Sequence, residues 1–178
     1  NGIASDAIWK IIALSIFVSM MMPISGGLLN PALTVGMLVT RRLDPVAALG
    51  YIVVQLLGAV LGAFAVKMMF PTGVGRVIAY GTPMIGSTVT LTQAIGIEAL
   101  LTFFLMSAVF GTAVSAAAPK IAGFGIGLTV FLGVLVAAPL TGPAINPARA
   151  FGPAIVSGVW TGHAAYWIGP ILGAVIAA

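Results

Sequence analysis

Two asparagines are the residues of this chain best placed to do chemistry. Asn30 opens the triplet Asn30-Pro31-Ala32, and Asn146 opens the triplet Asn146-Pro147-Ala148. The flanks repeat as well: Ser25-Gly26 leads into the first copy and Thr141-Gly142 into the second, and Gly36 and Gly152 follow. A carboxamide carries two N–H donors and one acceptor oxygen. Its chemistry is to hold or turn a polar guest, with no bond made or broken. Both copies interrupt apolar runs, and a polar residue before a proline at membrane depth is tolerated where it lines a cavity. Two such breaks at corresponding positions of two halves point to a binding or conduction site where the halves meet.

The composition supports this and removes other classes. Of 178 residues, 61% are hydrophobic and 6% charged, against about 25% charged in soluble domains. The chain reads as an integral, multi-pass membrane protein, with the cell membrane its expected location. Its formal net charge of +4 comes from seven scattered Lys and Arg, so no basic stripe for nucleic acid exists. The absence of Cys and the single His leave no disulfide framework and no metal cluster. Asp6, Asp44 and Glu98 are the only acids, too few and too far apart in sequence for paired-carboxylate catalysis. Neither an enzyme nor a cofactor is expected.

Apolar runs place membrane spans at about Ala7 to Met22, Val46 to Met69, Leu91 to Ala113, Ile121 to Ala138, and from His163 to Ala178. Pro23 to Arg42 and Pro139 to Gly162 are too short and too broken to cross, and read as re-entrant loops. In each, Asn is a good N-cap and Pro suits the first helical position. Half-helices are predicted from Pro31 to about Thr40 and from Pro147 to about Ser157. Three crossings separate the loops, so they enter from opposite faces and their N-termini can meet near mid-membrane. Arg41, Arg42 and Lys120 fall on one face, Lys67 and Arg76 on the other, which favours the first as cytoplasmic. Trp9, Trp160, Tyr166 and Trp167 read as interface aromatics. Glycines four apart (Gly58 and Gly62, Gly123 and Gly127, Gly169 and Gly173) predict close helix contacts.

The repeat extends beyond the triplets. Asn30 maps to Asn146 (146 − 30 = 116) and Gly58 to Gly173 (173 − 58 = 115). The second span thus corresponds to the last and the first to the fourth. The third has no counterpart before residue 1, and the last run is shorter than the roughly 20 residues a crossing helix needs. The expectation is a fragment of a six-span protein lacking its first span and the end of its sixth, with apolar faces open on one flank. The expected organisation is a single membrane channel domain over residues 1–178, with 1–88 the first inverted repeat without its first helix and 89–178 the second with its last helix truncated.

Ser25-Gly26-Gly27-Leu28-Leu29-Asn30-Pro31-Ala32-Leu33-Thr34 and Gly142-Pro143-Ala144-Ile145-Asn146-Pro147-Ala148-Arg149-Ala150-Phe151-Gly152, in inverted halves, resemble the aquaporin (major intrinsic protein) family. The resemblance covers nearly the whole chain. It implies an all-α, aquaporin-like six-helix bundle with two inverted repeats and two re-entrant half-helices, the first transmembrane helix missing here, and it implies a homotetramer. Asn30 and Asn146 would be the paired pore asparagines, donating to water or a small neutral solute. The two half-helix N-termini would add positive potential at the same point, interrupting proton wires and opposing cations.

The resemblance also implies a selectivity filter at Arg149, with Val134, Pro143 and Lys10 at its other positions. Water-specific members usually have His at the Val134 position and an aromatic at the Lys10 position. Val134 therefore predicts a wider, less polar constriction that passes ammonia, urea or glycerol besides water. Lys10 also has a plainer reading, reaching to headgroups or pairing with Asp6. Ala150, Ala154, Tyr166 and Trp167 resemble the water-channel branch. Glu98 matches a buried family glutamate that supports the second pore loop. Gln55 faces a neighbouring helix or the lumen, and His163 reads as a solvated residue before the last span. The alternatives are a secondary transporter built on broken helices and a structural membrane protein with a closed pore.

Overall fold

A computed structural model describes residues 2–119 and 121–178, with side chains from Ala7 onward. Among the described residues eight α-helices follow one another: α1 (Gly2–Ser25), α2 (Pro31–Val39), α3 (Pro45–Met69), α4 (Thr72–Val77), α5 (Leu91–Val109), α6 (Ala122–Thr141), α7 (Pro147–Ser157) and α8 (Ala165–Ala177). A tight turn over Ala79–Gly81 follows α4, and α5 runs on into one π turn, Phe110–Val114. Among the described residues there is no strand. The stretches Ala7–Ser25, Pro45–Met69, Leu91–Val114 and Ala122–Thr141 are long and apolar enough to cross a membrane, and α8 is a shorter apolar helix.

Local chemistry explains where the helices begin and stop. Asn30 and Asn146 cap α2 and α7, each with a proline in the first helical position. Asp44 caps α3 by accepting from Ala47 N at 2.9 Å. Thr90 and Gln93 form a reciprocal capping box at the start of α5. Gly142 and Gly158, at φ 55° and 76°, end α6 and α7 in the left-handed conformation. The half-helices match the sequence expectation to within a residue. The fourth span runs three residues further than expected, through Pro139 to Thr141, and α4 was not anticipated.

Helix α1 packs on α6, α5 on α8, α3 on α7, and α2 against α8 and α3. Two of the glycine pairs make these approaches possible. A Cβ at Gly127 would overlap Ser15 Oγ, and one at Gly123 would overlap Ser19 Oγ, so α1 and α6 need both glycines. A Cβ at Gly173 would overlap the Ala99 carbonyl, and one at Gly169 would come within 2.7 Å of Ile95 O, which locks α8 onto α5. The third pair is a correction. Nothing lies within 4 Å of where a Cβ would stand on Gly58 or Gly62. Small residues four apart permit a close approach but do not supply the partner.

The outer surface is apolar, as a lipid-facing surface must be: Val46, Leu49, Val53, Leu57 and Leu61 of α3 are all exposed. Trp9 and Trp160 are exposed aromatics, but Tyr166 is wholly buried and does not belong to an interface belt. Lys120, which entered the assignment of faces, lies outside the described residues.

Candidate functional site

The two half-helices meet at their N-termini through a reciprocal exchange. Asn30 Nδ2 donates to the carbonyl of Ile145 at 2.8 Å, and Asn146 Nδ2 donates to the carbonyl of Leu29 at 3.0 Å. Each asparagine thus grips the residue just before the other asparagine. The side-chain oxygens are spent on the helices behind them. Asn30 Oδ1 accepts from Ala32 N at 2.9 Å, and Asn146 Oδ1 accepts from Ala148 N at 3.0 Å and Arg149 N at 3.3 Å. Donor and acceptor of each amide are therefore fixed by backbone, which sets its orientation. Pro31, Ala32, Pro147 and Ala148 are buried behind the asparagines. Their part is to start the helices and let them abut.

Both asparagines line one cavity of about 500 Å³, together with Arg149, Pro143 and Lys10. Its remaining wall is mostly apolar, with Phe17, Leu33 and Val130 among its members. The cavity brings together five polar or filter positions named from the sequence: Asn30, Asn146, Arg149, Pro143 and Lys10. Val134 differs. It is 1% exposed and is not part of the lining that the other five share. The Lys10 side chain reaches the cavity wall, while the side chain of Asp6, its alternative partner, lies outside those described. Arg149 is half-buried, and its Nη1 donates to the carbonyl of Gly81 at 2.8 Å. The N-termini of α2 and α7 and the Arg149 guanidinium all present positive potential to the same cavity.

A buried carboxylate holds the second loop. Glu98 is wholly buried in α5. Its Oε1 accepts from Thr141 Oγ1 at 2.8 Å and Ala144 N at 3.1 Å, and its Oε2 accepts from Ile145 N at 2.7 Å. The need is visible in the backbone. Ile145 sits at φ 55°, a conformation that a β-branched residue takes only under constraint, and in it the Ile145 carbonyl reaches Asn30. Tyr166 adds a second brace, its hydroxyl donating to Thr141 O at 2.7 Å.

The first loop is braced by other means. Tyr51 donates its hydroxyl to Ser25 O at 2.9 Å, and Gln55 Nε2 donates to Leu28 O and Thr34 Oγ1, both at 2.9 Å. Gln55 thus faces the loop from α3, which sequence reading had left open. The two tyrosines were missed as site residues, although they stand in the repeat's own register (166 − 51 = 115) and that match could have found them. Gly81 carried no signal, because it contributes a backbone carbonyl. His163, expected to be solvated, is half-buried. Its Nε2 accepts from Trp167 Nε1 at 3.1 Å, and its ring lies 4.7 Å from that of Trp160.

The arrangement offers donors and positive potential to a guest with an accepting oxygen or nitrogen. Among the described residues, no group of three or more His, Asp or Glu side chains could hold a metal ion.

Comparison with known proteins gives four findings. The family model described as "Major intrinsic protein" matches residues 2–178. Human aquaporin-4 is 38% identical over 156 residues, which are 86% of this chain and 48% of that protein, so the chain spans about half its length. Aquaporin TIP4-4 of Zea mays is 35% identical over 183 residues, 99% of this chain and 69% of that protein. Among solved structures, the aquaglyceroporin from Plasmodium falciparum superposes with a TM-score of 0.75 over 93% of this chain and 76% of that one, at 21% identity. This last likeness is one of fold.

Proposed function

Because the chain belongs to the major intrinsic protein family and is an integral, multi-pass membrane protein, we propose that it forms a passive channel for water. The proposal extends to small neutral solutes (ammonia, urea and glycerol), with protons and cations excluded and no catalysis involved. The reciprocal grip of Asn30 and Asn146 at one cavity is the observation that carries this reading. A carboxamide nitrogen has two N–H donors. One on each asparagine holds the opposite loop, and the other is available to a guest in the cavity. A water that accepts from both asparagines has its hydrogens turned away along the pore. It cannot pass a proton on between the two donors. The helix N-termini and Arg149 raise the electrostatic cost for a cation at the same level.

Arg149, with Pro143 and Lys10 on the shared lining and Val134 behind it, is the proposed filter. Residues 1–88 and 89–178 are read as inverted repeats of one channel domain, and a homotetramer in the cell membrane is the proposed assembly. The transporter alternative requires a titratable group free to load and release an ion. Glu98 is engaged by three donors of the second loop, which favours structural support.

Stopped-flow swelling of vesicles carrying the intact protein tests the reading, first with water and then with glycerol, urea and ammonia. Water flux well above that of protein-free vesicles is expected, with urea and ammonia following. Arg149→Val should raise solute flux and admit cations while leaving water flux largely intact. Val134→His should cut the larger solutes first, because an imidazole is larger and more polar than the isopropyl group it replaces. Flux that saturates and follows a proton or sodium gradient would establish the transporter instead.

A further inference from the structure

The turn that holds Arg149 is itself strained, and the strain has an identifiable anchor. Arg149 Nη1 donates to the Gly81 carbonyl at 2.8 Å. A guanidinium on a long side chain is only as well placed as the acceptor it meets. That acceptor follows two successive non-glycine residues in the left-handed region, Ala79 at φ 45° and Tyr80 at φ 49°, with Gly81 itself at φ 84°. Such residues persist only where the surroundings over-determine them. Ala79 and Tyr80 are both buried, and a Cβ on Gly75 would overlap the Tyr80 ring, so the ring is seated on bare helix α4 backbone.

The tie that closes the turn is Thr82, which is 6% exposed. Its hydroxyl donates to the Ala79 carbonyl at 2.6 Å and also lies 2.8 Å from Ser157 Oγ. Thr82 has one hydroxyl proton. With that proton on Ala79 O, the bond to Ser157 must be donated by Ser157, whose oxygen in turn accepts from Val159 N at 3.1 Å. The three hydrogen bonds therefore run in one direction, from Val159 through Ser157 and Thr82 to Ala79. Ser157 is the last residue of α7, the helix that carries Arg149 near its start. The acceptor of the guanidinium is thus referenced to the same helix as the guanidinium itself.

We propose that Thr82 is a positioning residue for Arg149: by pinning the Ala79–Gly81 turn to the C-terminal end of α7, it holds the Gly81 carbonyl where it keeps the guanidinium at the constriction. This rests on the reading of Arg149 as the filter. It adds a selectivity determinant that touches no solute and lies outside both asparagine loops.

The test compares urea with water permeability in vesicles carrying the intact protein, for the unmodified channel and for Thr82→Val, Thr82→Ser, Ser157→Ala and Arg149→Val. Thr82→Val keeps the shape and removes the hydroxyl, and should raise the urea-to-water ratio about fivefold, the effect of roughly one lost hydrogen bond. Ser157→Ala, a milder change at a half-buried site, should move the ratio the same way. Thr82→Ser keeps the hydroxyl and should restore the unmodified ratio. The proposal is overturned if Arg149→Val shifts the ratio while Thr82→Val and Ser157→Ala do not. It is overturned equally if those two variants lower water and urea in the same proportion, as loss of folded channel would. An unchanged ratio in Arg149→Val would instead refute the filter reading.

Discussion

The two asparagine loops solve one geometric problem with different materials. In both, a tyrosine one repeat apart ties the loop's entry: Tyr51 to Ser25 and Tyr166 to Thr141. Beyond that the loops diverge. The first makes its left-handed bends at Gly26 and Gly27, φ 70° and 67°, where glycine takes them without steric cost. An amide suffices to brace it, Gln55 donating to one carbonyl and one hydroxyl. The second places Ile145 at φ 55° and is held by a buried carboxylate with three donors. Where the chain supplies a permissive residue a weak brace is enough. Where it supplies a β-branched one, a buried carboxyl group that accepts from three donors stands opposite. The outcome is the same at the cavity, a carbonyl presented to the opposite asparagine.

This contrast can be broken by removing the braces one at a time. Glu98→Ala should have the largest effect. It leaves three buried donors without an acceptor, at roughly 1–3 kcal/mol each, and Ile145 loses what holds it. Water permeability should be lost along with much of the folded channel in detergent. Gln55→Leu should cost about 1 kcal/mol or less, because the buried Gln55 Oε1 has no partner among the described residues and its removal offsets part of the loss. Equal effects of the two substitutions would contradict the account of unequal braces.

The tyrosines sharpen the same point at smaller scale. Tyr166→Phe removes a donor from a wholly buried site and should cost about 1 kcal/mol. Tyr51→Phe should cost less, since Tyr51 is half-buried and water can replace its hydroxyl. Thermal unfolding in detergent orders the four variants: Glu98→Ala most destabilised, then Tyr166→Phe, with Gln55→Leu and Tyr51→Phe least affected.

The sequence made one kind of feature readable and hid another. Asn-Pro after an apolar run marks a capped half-helix with little ambiguity, and α2 and α7 begin at Pro31 and Pro147 as read. A lone acid in an apolar span marks itself as a functional position, and the family resemblance is what assigned Glu98 to loop support before its partners were visible. The Gly81 carbonyl could not be found this way, since every residue carries the same carbonyl and only the fold aims it. Gly58 and Gly62 carry the same spacing as Gly173 and its neighbour Gly169, yet among the described residues nothing lies within 4 Å of where their Cβ atoms would stand. Val134 was counted to the filter by its distance from Asn146. Counting along the chain locates a turn of helix, and packing decides whether its side chain reaches the lining.

The central claim is that the crossed asparagines pass water without passing protons. Osmotic water flux and proton flux, measured on the same vesicles carrying the intact protein, test it most directly. The account predicts fast water flux with proton flux no higher than in protein-free vesicles. Proton flux that rises in step with water flux in the unmodified protein would contradict it.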